Sequence, residues 1–126
     1  MANQKIRDIS ELQDGITFNL TRADIDEGIA VDCRKCPVAR CLQRHFDENF
    51  FFFEVGLSCL KLVKMDAYRT YFHFDIGNRL KRWINNFDQF YLRHKNPVSN
   101  PITIVCWILE NNGSKYRIFD IKKEGD

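Results

Sequence analysis

No stretch of this chain approaches the roughly 18 to 20 apolar residues that a membrane span requires. The longest apolar run is Ile104-Val105-Cys106-Trp107-Ile108-Leu109, so no membrane partner is expected. The opening residues, Met-Ala-Asn-Gln-Lys-Ile-Arg-Asp, lack the apolar core of a signal peptide. That predicts a cytoplasmic protein whose thiols stay reduced. Five cysteines, an odd number, also fit a complete disulfide framework poorly. Charge of one sign is missing too. A net charge of +2 excludes an acidic nucleic-acid mimic and is too small to imply wholesale nucleic-acid binding. No Gly-x-Gly-x-x-Gly or Walker sequence occurs, so no glycine loop cradles phosphate. With only three prolines and six glycines there is no linker, repeat or low-complexity tract.

What is present is globular. Hydrophobic residues make up 44% of the 126, and the eleven phenylalanines exceed ordinary usage, which argues for a packed core rather than disorder. Residues 1 to 14 are polar apart from scattered Ile and Leu and read as a loosely held lead-in to a single domain over 15–126. Ile16 to Leu20 alternates as a half-buried strand. Thr21 with Asp24 three residues on predicts a short helix over 22–27, ended by Gly28. Pro37 suits the first position of a second helix, with Val38, Cys41 and Leu42 on its inner face and Arg40, Gln43 and Arg44 outside. The run Phe50 to Phe53 is a strand buried on both faces or an exposed patch. Val55 to Val63 reads as one strand with a bulge near Cys59-Leu60, and Tyr68 to Phe74 as another.

The clearest element spans 76–91. Ile76, Leu80, Trp83, Ile84, Phe87 and Tyr91 form one apolar stripe, with Asp75 as the expected cap. The segment Asn96 to Pro101 breaks the chain. Ile102–Glu110 and Lys115–Lys122 then form a hairpin around Asn111-Asn112-Gly113. The expected fold class is α+β: about five mostly antiparallel strands with about three helices packed on one face.

The chemistry-bearing stretch is Cys33 to His45, which holds three of the five cysteines and one of the three histidines. Zinc on Cys33, Cys36, Cys41 and His45 is one reading, since the ligand types and the Cys-x-x-Cys spacing are right. Geometry opposes the full set. Cys36 and His45 are nine residues apart, roughly 13 Å along a helix at about 1.5 Å per residue. A redox reading takes Cys36 at a helix start beside Arg34 and Lys35, where a thiolate is favoured. The plainer reading packs the thiols as small apolar residues and involves no cofactor. His45 then serves as a charge partner of the helix end or a surface residue. For nucleophilic catalysis, Ser58, Ser99 and Ser114 lie in no suitable context, and His73 sits on a strand between aromatics. No catalytic residue is therefore expected. Arg79, Lys81 and Arg82 on the long helix, followed by Arg93, His94 and Lys95, form a basic face that could contact phosphates.

Ile16-Thr17-Phe18-Asn19-Leu20-Thr21, then Asp24-Ile25-Asp26-Glu27-Gly28 and Asp32-Cys33-Arg34-Lys35-Cys36-Pro37-Val38-Ala39, resemble the opening of a group of small phage and prophage proteins. Those proteins carry a short strand, a turn of helix ending in Gly and a Cys-x-x-Cys-Pro-[Ile/Val]-Ala helix. The helix ending Asn86-Phe87-Asp88 and the strand from Pro101-Ile102-Thr103-Ile104 are similar to their later half. The chain departs from the group in Phe50–Phe53 and in Lys115–Lys122. At the position of Cys41 the group commonly has a small apolar residue, which implies a buried helix rather than a ligand. The resemblance implies a phage accessory protein acting in an infected or lysogenic cell. The expectation is thus a non-enzymatic protein that binds a host factor or sequesters a nucleotide-type ligand, with a homo-oligomer as one form. Its candidate contacts are Phe51, Phe53, Arg79, Lys81, Arg82, Arg93 and His94. The alternative is a nucleic-acid-binding protein using the 76–91 helix.

Overall fold

In the computed structural model of this chain, which describes residues 5–56, 59–92 and 100–123, six strands form one sheet. They are β1 (Ile16–Leu20), β2 (Phe51–Val55), β3 (Cys59–Lys64), β4 (Tyr71–Ile76), β5 (Ile102–Asn111) and β6 (Ser114–Ile121). Three helices are interspersed: α1 (Arg22–Glu27), α2 (Pro37–Arg44) and α3 (Asn78–Leu92). The sheet order is β1-β5-β6-β4-β3-β2, antiparallel throughout except for the parallel pair β4–β6. This is the expected α+β class with one strand more.

The extra strand is the Phe50–Phe53 run, which the sequence left open between a strand and an exposed patch. Val55 ends β2 and Cys59 begins β3, and the two strands pair as a hairpin, Val55 opposite Leu60 and Phe53 opposite Leu62. Alternation continuing across Gly56 had assigned Val55 to the later strand. At the other hairpin the turn chemistry reads correctly. Asn112 and Gly113 take φ of +52° and +82°, the paired positive values that a two-residue hairpin needs.

Local signals explain α1 and α2. Thr21 and Asp24 form a capping box, the Asp24 N–H donating to Thr21 Oγ1 at 3.3 Å and the Thr21 N–H to Asp24 Oδ2 at 2.9 Å. Pro37 opens α2, and Cys36 caps it through a long 3.5 Å contact from the Ala39 N–H to Sγ. The start of α3 is different. Asp75 and Ile76 still belong to β4, and the carboxylate that caps α3 is Asp120 of β6, whose Oδ1 accepts from the Leu80 N–H at 2.9 Å. A Cβ on Gly77 would collide with the Asp120 side chain, so glycine there is what lets the cap reach in.

The curled sheet wraps α2. Although β1 and β2 are opposite edges of the sheet, Phe46 beyond the end of α2 lies against Phe18 of β1 and against Phe51 and Phe53 of β2, with ring centroids 4.7 to 6.3 Å apart. Aromatic contacts continue from Phe18 to Phe119 and on to Phe74. Val38, Ala39, Cys41 and Leu42 of α2, Ile25 of α1, and Leu80, Ile84 and Phe87 of α3 join this same core. The opening segment belongs to it as well. Ile6 and Leu12 are buried, and Ile6 exchanges backbone hydrogen bonds with His45 and Asp47. Residues 6–14 are thus a docked strap rather than a loose lead-in; two well-spaced apolar residues suffice to seat it. No helix among the described residues is long and apolar enough to cross a membrane.

Candidate anion-binding groove

The residues singled out from the sequence scatter. Phe51 and Phe53 point inward and are only 1% exposed, so the aromatic run is core rather than an exposed patch. Strand alternation is the reason: Phe52 between them faces outward and is half-buried. On α3, Arg82 is exposed and Lys81 half-buried, while Arg79 Nη1 donates to the Ile121 carbonyl at 3.0 Å. Arg93, His94 and Lys95 lie outside the described residues, as do the side chain of Tyr91 and the break at 96–99.

The cysteine segment does not gather into a centre. Cys33 is exposed on a turn, Cys36 is buried at the start of α2, and Cys41 is buried on its inner face. Among the described residues no three His, Cys, Asp or Glu side chains come together to hold a metal. Burial pushes the Cys36 thiol up to about 11 and that of Cys41 up to about 12. The expected thiolate-favouring helix start is overridden because desolvation outweighs the dipole. His45 caps the end of α2 with its ring edge-on to Phe18 at 5.1 Å. Burial, then the neighbouring Arg44 charge, lowers its pKa, so it sits neutral rather than answering the helix dipole.

What the fold does assemble is the outer side of α2. An open groove of about 380 Å³ is lined by Lys5 from the strap, Arg34 and Lys35 from the turn before α2, and Arg40, Gln43 and Arg44 from its outer face. Asp24 and Glu48 complete the polar lining, with Phe46 beneath. These cations are held differently. Arg44 is structural: Nη1 donates to Asp24 Oδ1 at 2.6 Å and Nη2 to the Asn19 carbonyl at 2.8 Å. Asp24 is 1% exposed. Desolvation raises its pKa, but the Arg44 hydrogen bond, the Thr21 amide and the Arg44 charge together outweigh that and leave it lowered. It is therefore an ionised, fully committed carboxylate. Arg34 pairs loosely with Glu54 at 3.8 Å and lies over the Phe52 ring at 4.5 Å. Arg40 Nη2 donates to Glu27 at 2.7 Å, yet its Nε is buried without a partner. Lys5 and Lys35 are exposed, and neither side chain forms an ion pair among the described residues.

A second, smaller cavity of about 190 Å³ lies on the other side of the turn, lined chiefly by Val31, Cys33, Cys36, Val55, Ile84 and Asp88. Val31 takes φ +63°, uncommon for a β-branched residue, and its N–H donates to Asp88 Oδ1 at 3.1 Å. Burial raises the Asp88 pKa, with the Val31 N–H opposing. Comparison with protein-family models, curated proteins and solved structures gives no match to this chain.

Sequence reasoning placed Arg40, Gln43 and Arg44 on the outer side of α2 but named none of them as a candidate contact. Their alignment with Lys5 depends on the docking of the strap.

Proposed function

We propose that the protein is a non-enzymatic binding protein that holds an anionic, nucleotide-type ligand in the groove over α2. The observation that carries this reading is the gathering of Lys5, Arg34, Lys35 and Arg40 along one groove, where the exposed Lys5 and Lys35 side chains form no ion pair among the described residues. Lysine and arginine side chains so grouped favour carboxylate or phosphate oxygens. The groove is also of the size range of small-molecule sites. Thiols pushed upward by burial, as at Cys36, favour binding over nucleophilic chemistry.

A sequestering role of this kind agrees with the phage accessory role that the sequence resemblance implies. The α3 face has less in its favour as a phosphate surface, because the Arg79 guanidinium is engaged with the Ile121 carbonyl. An oligomer built by pairing β2 edges is also disfavoured. The outward N–H groups of Phe51, Phe53 and Val55 already bond to the Asp47 carbonyl, Gln43 Oε1 and the Cys33 carbonyl.

Calorimetric titration with ATP tests the proposal. Saturable binding that weakens as salt is raised, and that falls at least fivefold in Lys35→Glu, is the expected result. Absence of binding at millimolar ATP in low salt overturns it.

A further inference from the structure

Arg34 links the groove to the outer face of the sheet. Its guanidinium lines the groove and also lies over the Phe52 ring on β2. From Phe52 the sheet register leads outward in a single row: Phe52 opposite Val63, and Val63 opposite Tyr71. Val63 is buried outside the main core cluster, while Tyr71 is 52% exposed. The next row runs Glu54, Lys61, His73. Past Tyr71, the turn into β4 carries Tyr68, 92% exposed, beside exposed Arg69. Two strand spacings, about 10 Å, separate Phe52 from Tyr71. The core lies on the opposite face, where Phe51, Phe53, Leu60, Leu62 and Phe74 point.

We infer that the ligand of the groove is a single strand of nucleic acid: its phosphates sit along Lys5, Lys35 and Arg40, and its bases stack on Arg34 over Phe52 and on Tyr71. This rests on the groove being an anion site. The arrangement has the two parts that such binding needs, a cationic path for the backbone and flat side chains on a rigid surface for the bases. Arginine planes and tyrosine rings both accept any base, so the binding has little sequence preference. Charge favours this occupant over a protein partner. Asp24, Glu27 and Glu54 are each paired to an arginine, and Asp32 accepts from the Arg34 and Lys35 N–H groups, leaving the Lys5 and Lys35 ammonium groups without an ion pair among the described residues. A free nucleotide would use the groove and make no contact with Tyr71.

The test compares a fluorescein-labelled ten-residue oligothymidylate, followed by anisotropy, with ATP, followed by calorimetry. Wild type, Tyr71→Ala and Lys35→Glu are all checked for unchanged melting. The inference expects the oligonucleotide to bind at least tenfold more tightly than ATP. Tyr71→Ala weakens the oligonucleotide about tenfold and leaves ATP binding unchanged, while Lys35→Glu weakens both. If ATP binds but the oligonucleotide binds no better, or binds equally well to Tyr71→Ala, the single-strand inference is overturned and the groove reading stands. If ATP does not bind, the groove reading and the inference that rests on it both fall, whatever the oligonucleotide does.

Discussion

Gln43 and Arg44, adjacent on α2, hydrogen-bond the two opposite edges of one sheet. The Gln43 amide donates to the Phe51 carbonyl and accepts from the Phe53 N–H on β2, each at 3.0 Å. Arg44 donates to the Asn19 carbonyl on β1 at 2.8 Å. The helix thereby takes the place of a seventh strand, filling the gap that the curled sheet leaves open. Its side chains satisfy edge groups that would otherwise meet water or another chain.

Replacing Gln43 by Ala should therefore destabilise the fold by about 1–2 kcal/mol, since two partly buried backbone groups lose their partners together. Gln43→Glu keeps an acceptor for Phe53 but loses the donor to Phe51, so it too should fall below wild type. Denaturant midpoints check this. Midpoints equal to wild type in both variants would contradict the closing role of α2.

How far this was legible from the sequence varies with how local each cause is. Thr21 with Asp24, Pro37, the Asn112-Gly113 turn and the Leu80, Ile84, Phe87 stripe act within a few residues and gave their elements correctly. The cap on α3 did not, because the carboxylate comes from Asp120, forty residues away, while Asp75 stood nearer in the chain. Phe51 and Phe53 could not be sided without knowing which face of β2 meets Phe46. The groove failed to show for the same reason: Lys5 joins Arg40 only after Ile6 docks beside Phe46.

The contact between Gly77 and Asp120 yields a coupled pair of substitutions. Gly77→Ala drives a methyl into the Asp120 side chain, and Asp120→Ala removes the cap from Leu80. Each should destabilise by about 1–2 kcal/mol. The double variant should lose less than the sum, because both act on one cap. Strict additivity in thermal or denaturant unfolding would count against the pairing.

Acid should weaken the protein in two separable steps. His45 has a folded pKa below its ordinary 6.5, so the unfolded chain takes up the proton first and stability falls as pH drops below that value. Asp24 is also lowered, so its contribution is present above the ordinary carboxyl value of 3.8 and is lost as pH falls through its folded value. His45→Phe should remove the first decline and leave the second. A stability profile for His45→Phe parallel to wild type between pH 6.5 and 5 would show that His45 is not its source.

The thiols should react in the order of their exposure. Cys33 is open to solvent and Cys59 half-buried, whereas Cys36, Cys41 and Cys106 are buried, the last with its thiol pushed up to about 12. Alkylation of the folded protein followed by mass spectrometry should label Cys33 first and Cys59 more slowly. The other three should resist until denaturant is added. Labelling of Cys36 as fast as Cys33 would revive a reactive-thiol function.

The central claim is that the outer side of α2 is built to hold a phosphate-bearing ligand. Its most direct measurement is an ATP titration of wild type against Lys5→Glu/Lys35→Glu, two exposed positions whose reversal leaves the core and both edge clamps intact. The account predicts salt-sensitive binding by wild type and no detectable binding by the double variant at equal melting temperature. Equal affinity in the two proteins would contradict it.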